Sequence, residues 1–132
     1  MAISNFEKAR LANLIAGDGT YTKATKFVVK LFYDAVDENG VGQECDADGY
    51  QPIEVDNNAI NFPTTTNGVK GLAVVHRSQP FQETSAPIVS IGVFDTDDNL
   101  ISYKVLPAPE VVLKDQEFIL SIDGLTFTVI TE

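Results

Sequence analysis

The sequence predicts a mainly β fold: an antiparallel β-sandwich, jelly-roll-like, with one N-terminal α-helix. Three observations carry that prediction. A capped helical pattern is confined to Ser4–Ala16. After Phe27 the chain breaks into short β-branched and aromatic runs separated by turn residues. Near the C-terminus, Asp123-Gly124 interrupts an apolar–polar alternation in the manner of a two-residue hairpin turn. The expected organisation is an amphipathic helix over residues 1–17, suited to a docking arm, and a β-sandwich domain over residues 18–132. A chain of 132 residues matches the size of one domain.

The helix is specified by local chemistry. Ser4-Asn5-Phe6-Glu7 has the capping-box spacing, in which the Ser hydroxyl serves an amide and Glu three residues on reciprocates. Leu11, Leu14 and Ile15 follow at i, i+3 and i+4, the spacing of a one-sided apolar stripe. Gly17 stands where a left-handed residue closes a helix, and Gly17-Asp18-Gly19 continues as a turn.

The strands follow in order. Phe27–Tyr33 reads as a buried strand, and Asp34–Gly49 as a long acidic loop. Tyr50–Val55 is a strand that Pro52 assigns to an edge or bulge. Asn57-Asn58 turns the chain, and Ala59–Phe62 is a short strand ended by Pro63. Thr64–Gly71 is a loop or weak strand, Gly71–Arg77 a strand, and Ser78–Pro87 a break. Ile88–Phe94 and Leu100–Leu106 form a hairpin across Asp95–Asn99. Pro107 and Pro109 separate a further strand, Glu110–Leu113. In the last hairpin Ile122 is expected opposite Leu125, Leu120 opposite Phe127, and Phe118 opposite Val129.

Charge narrows the partners. The net charge of −10 argues against nucleic acid, whose phosphates select Lys and Arg. The charge is uneven: residues 1–30 carry five basic and two acidic side chains, +3, and the rest four basic and seventeen acidic, −13. No run approaches the ~20 apolar residues of a membrane span, and the first residues lack the pattern of a secretory signal. Synthesis in a cytoplasm, with no membrane contact, is the expectation.

No set of residues reads as catalytic, cofactor-binding or metal-ligating. Asp95-Thr96-Asp97-Asp98-Asn99 opens like a calcium loop, but Leu100 replaces the required Gly and Leu106 the bidentate Glu. An Asp/Asn-rich hairpin turn is the better reading. Six carboxylates between Asp34 and Asp48 read as a solvated loop, with weak calcium binding as the alternative. His76 has neither a nucleophile nor further ligands in its pattern and reads as a strand residue. Cys45, flanked by Glu44 and Asp46, reads as a passive thiol. Nineteen acidic residues offer pairs for glycosidic cleavage, but there is no Trp to form a platform. Tyr21, Tyr50 and Tyr103 are the aromatic candidates for surface recognition.

Several landmarks recur in a fixed order: Ser4-Asn5-Phe6, Leu14-Ile15-Ala16-Gly17, Thr20-Tyr21-Thr22 and Phe27–Phe32. Gly42-Gln43-Glu44, Gly49-Tyr50-Gln51-Pro52-Ile53, Pro80-Phe81, Ile91–Asp95, Asn99–Tyr103 and the closing hairpin follow. Over nearly the whole chain this order resembles a family of small virion proteins of tailed bacteriophages, of tail-fibre or minor tail type. Pro52 stands where that family commonly has Arg, and Pro80 precedes Phe81 where it has Phe-Pro. The resemblance implies a non-enzymatic structural component of a virion, of tail or capsid-decoration type. Its partners would be other virion proteins, in a homo-oligomer or multi-copy assembly. The helix and a sandwich edge would make the contact, with Leu11, Leu14 and Ile15 as anchors. The alternative is a carbohydrate- or host-receptor-binding module with Asp34–Gly49 and the Asp95–Asn99 turn as its binding edge.

Overall fold

The computed structural model describes residues 2–65, 68–69, 76–77, 86–111, 118–123 and 126–131. The fold is mainly β with a single helix among these residues. Its centre is an antiparallel five-stranded sheet in the order β1-β8-β7-β2-β3, where β1 is Ala2–Ile3, β2 Lys26–Phe32, β3 Ile53–Asp56, β7 Ile88–Phe94 and β8 Leu100–Glu110. Helix α1, Asn5–Ala16, joins β1 to the rest and contacts β8. Two smaller pieces complete the described strands. Thr64–Thr65 (β4) pairs with Gly68–Val69 (β5). His76–Arg77 (β6), Phe118–Asp123 (β9) and Thr126–Thr131 (β10) form a three-stranded sheet in the order β10-β9-β6.

Alternation along β2 sorts its side chains onto two faces. Val29 and Leu31 join Ile53, Val55, Ile91 and Val93 in the larger buried cluster, which Cys45 from the acidic loop also enters. Phe32 faces the other way, packing with Val36, Phe94 and Leu100 in a smaller cluster. The register, Val29 opposite both Val93 and Ile53, lines up these alternating positions across three strands. Gly92 is needed on the second face: a Cβ there would come within 2.8 Å of the Phe94 ring. The edge-to-face pair of Phe27 and Phe62, 5.5 Å between centroids, closes one end of the larger cluster.

Buried polar groups hold the loops on this sheet. Ser90, fully buried, donates to the Asp34 carbonyl at 2.6 Å and accepts from the Val36 amide at 3.0 Å. Tyr50 accepts from the Leu31 amide at 3.1 Å, so the residue that follows the acidic loop is tied to β2. Burial pushes the Tyr50 phenol well above its ordinary value of 10.0, with the Glu44 carboxylate acting in the same direction. In the unfolded chain this phenol ionises near pH 10, while in the folded protein it stays neutral. The folded state therefore holds more protons above pH 10, and this contribution is complete below pH 10 and declines as pH rises. The unfolding free energy, read from denaturant titrations, is expected to fall as pH rises above about 10, by up to about 1.4 kcal/mol per pH unit. An unchanged midpoint, with every tyrosine titrating normally in the folded protein, would refute this.

Several expectations are corrected. Gly17 does not close the helix in the left-handed region, since its φ is −99°; the positive φ lies at Gly19, +76°, whose amide bonds the Asn13 carbonyl. Ala59–Phe62 is a turn instead of a strand, because the Asn58 side chain accepts from the amides of Ile60 and Asn61. Pro107 and Pro109 do not end a strand: β8 runs through to Glu110. The register with β7 jumps from Ser90–Val105 to Ile88–Glu110, so the two prolines occupy a bulge where a lost donor costs little.

The last hairpin pairs Asp123 with Thr126, Ile122 with Phe127 and Leu120 with Val129. Alternation fixes the phase of a strand but leaves even-numbered slips open, and this slip is by two residues. The expected Gly71–Arg77 and Glu110–Leu113 strands and the Ser78–Pro87 break fall largely outside the described residues.

Candidate docking surface and cleft

Helix α1 is fixed at its base. Ser4, completely buried, caps it: the hydroxyl accepts from the Glu7 amide at 3.1 Å and donates to the Leu100 carbonyl, while the Ser4 amide bonds the Ile101 carbonyl. The Asn5 amide reaches the Glu38 carbonyl of the acidic loop at 3.0 Å. Half of the expected capping box is therefore present. The Glu7 carboxylate turns away from the Ser4 amide, pairs with Arg10 and accepts from the Tyr21 hydroxyl at 2.5 Å. Glu7 is the buried residue of the helix.

The apolar stripe does not supply the packing. Leu11 is half-buried, Leu14 is 45% exposed and Ile15 is 84% exposed. The sequence brings these three close together, as expected, but at the far end of the helix and mostly facing solvent. Polar anchoring at the first turn replaces the apolar face as the means of docking the helix on its own domain.

The second feature is an open cleft of about 510 Å³ between α1, the following segment and the β7–β8 turn. On one wall the Arg10 guanidinium lies over the rings of Phe6, at 5.0 Å, and Tyr21, at 4.7 Å. It also donates to the Thr22 carbonyl at 2.7 Å. Asn13 donates to Asp18 at 2.7 Å, and Asp18 accepts from the Thr20 amide. That amide bond is the main cause holding the Asp18 carboxyl below its ordinary range. Burial and the Glu7 carboxylate push the Tyr21 phenol up.

The opposite wall is the Asp95–Asn99 turn. Asp95 accepts from the amides of Asp97 and Asn99, both at 2.9 Å, and Asp98 sits at φ +65°. This is the hairpin turn expected there. Of the two acidic stretches named as a binding edge, only this turn lines the cleft. The 34–49 loop is joined to it from the side by Lys30, which bonds Asp98 at 2.5 Å and lies 3.7 Å from Glu44. Phe6, Arg10 and Lys23 were missed as site residues by sequence reasoning. The i, i+3 pair Glu7–Arg10 was the available signal for the first wall.

The remaining candidates separate. Tyr50 is committed to Leu31, Tyr103 packs beside the smaller core cluster, and Cys45 is buried with its thiol 3.6 Å from the Tyr33 hydroxyl. His76 lies on β6 opposite Leu120, as a strand residue. Among the described residues no group of three His, Cys, Asp or Glu converges, and no helix is long and apolar enough to cross a membrane. Comparison with protein-family models, characterised proteins and solved structures finds no match.

Proposed function

We propose that this chain is a non-enzymatic structural component of a tailed-bacteriophage particle, present in several copies and held by contacts with other virion proteins. The three-stranded sheet then packs on the five-stranded one as a sandwich, a reading supported by the contact between β3 and β6. The observation that carries the proposal is Ile15, 84% exposed beside Leu14 on a helix pinned at its other end. A large aliphatic side chain held outward on a rigid mount suits a docking anchor.

The contact passes through side chains and not through strand addition. The β3 edge carries exposed Glu54 and Asp56 beside Lys26, at 3.2 and 3.9 Å. The β8 edge is covered by β1 at Ser102–Tyr103 and carries Pro107 and Pro109 beyond it. Charge and proline are the ordinary means of keeping a sheet edge from recruiting another chain. The sandwich edge expected as a second contact is therefore dropped from the proposal.

Particles banded on a density gradient are expected to contain the wild-type chain. Ile15→Asp is expected to change folding stability by less than about 0.5 kcal/mol, as an exposed substitution, while removing the chain from the particle band. A chain found only in the unassembled fraction would overturn the structural role. Full incorporation of Ile15→Asp and Leu14→Asp would overturn the helix as anchor.

A further inference from the structure

We infer that the anchor on α1 seats on the tip of the acidic loop of a second copy of this chain, so that copies join head to tail. The inference rests on the reading of α1 as a docking anchor and names what receives it. Two exposed aliphatic side chains carry it. Ile15, 84% exposed, stands at the far end of the helix, and Val41, 68% exposed, lies in the turn that Asp37 and Val41 close by their backbone bond. Each has charge of the opposite sign beside it.

Lys8 lies seven residues before Ile15, two turns along the same line of the helix, and is exposed with no side-chain partner among the described residues. Asp37 and Glu38 are exposed next to Val41, and the Glu38 carboxylate has no side-chain partner among the described residues either. An aliphatic group with a cation therefore finds its counterpart, an aliphatic group with anions, on the same chain. The wider charge runs the same way, +3 over residues 1–30 against −13 over the rest.

The two patches cannot meet within one copy. The Asn5 amide bonds the Glu38 carbonyl and the Asn5 side chain reaches Asn39, which fixes the loop tip at the first turn of α1. Ile15 lies ten residues further on, about 15 Å along the axis. The helix is thus a strut with a socket at one end and a plug at the other. Contact between two different patches is heterologous and repeats into a ring or a helical stack. An isologous pairing of two α1 helices would bring two basic segments together and leave Val41 uncovered.

One aliphatic contact and one ion pair make an interface well below the ~1,600 Å² of standard size. Sedimentation velocity of the full chain is therefore expected to show self-association with a Kd on the order of 100 µM, followed up to about tenfold that concentration. Ile15→Asp and Val41→Lys are each expected to stay monomeric alone and to form a 1:1 dimer when mixed, because one keeps the socket and the other the plug. Lys8→Glu and Glu38→Lys should each weaken association about tenfold, and the two reversals in one chain should restore it. All four side chains are exposed, so folding is expected to be unchanged. A wild-type chain monomeric throughout the range, a mixture that fails to complement, or reversals that do not rescue each other would each overturn the inference. Particle incorporation that depends on Ile15 in a chain that does not self-associate would sink the self-contact alone, whereas incorporation independent of Ile15 would sink the anchor itself.

Discussion

Ile91→Ala is expected to lower the unfolding free energy by about 3–4 kcal/mol, the middle of the range for truncating a buried aliphatic side chain. Ile91 is 1% exposed on the central strand pair, opposite Leu31 on β2 and Lys104 on β8. Its neighbours in the cluster arrive from four elements: β2, β3, β7 and the acidic loop through Cys45. A cavity at such a junction cannot be filled by moving one element, because each is hydrogen-bonded into the sheet or tied to it by Tyr50 and Ser90. The cost therefore includes the cavity as well as the lost transfer free energy. Thermal unfolding should shift down by about 10 °C for a domain of this size. A loss below about 1 kcal/mol would mean that the cluster is loosely packed and that the sheet is held mainly by its ladders.

The same cluster shows what the sequence made legible. Phe27–Tyr33 and Ile88–Phe94 were readable as strands because runs of β-branched and aromatic residues are a local signal. The Asp95–Asn99 hairpin was readable because Asp and Asn bond their own backbone, as Asp95 does with Asp97 and Asn99. What failed depended on distant partners. The interruption at Pro107 was inferred from proline alone, whereas the three-residue jump in the β7–β8 register makes room for it. Ala59–Phe62 looked like a strand by composition, but one Asn58 oxygen holding two amides outweighs a weak propensity.

The candidate site was legible only in part, for the same reason. Leu11, Leu14 and Ile15 were found by spacing, and spacing says nothing of which way a helix faces once it is docked. The orientation is decided by Glu7, a carboxylate that would ordinarily be placed on the solvent side. Burial of Glu7 becomes tolerable only because Arg10 and the Tyr21 hydroxyl satisfy it, and Tyr21 lies fourteen residues away. The cleft inherits that concealment. One wall carries Arg10 and Tyr21, both held by Glu7, and the opposite wall comes from a turn more than seventy residues further along the chain.

Ser4→Ala tests that arrangement at its root, and is expected to cost about 2–3 kcal/mol. Two effects combine. Loss of the cap removes the acceptor for the Glu7 amide, worth about 1 kcal/mol in typical helices. Loss of the hydroxyl also leaves the Leu100 carbonyl without its Ser4 donor beside a fully buried position, worth a further 1–2 kcal/mol or so. Alanine fits the space, so neither term is masked by a clash. Ser4→Thr retains the oxygen that both bonds need, and would separate loss of hydrogen bonds from crowding by its added methyl. The consequence should reach past stability. With its first turn released, α1 no longer holds Glu7 against Tyr21 or Arg10 over the two rings, so the cleft loses one wall while the β7–β8 turn stays intact. Hydrogen exchange should therefore rise first at the amides of α1, with Ile91 and Val93 still protected near the global limit. Uniform acceleration across α1 and the central strands would show instead that the helix and the five-stranded sheet unfold as one unit.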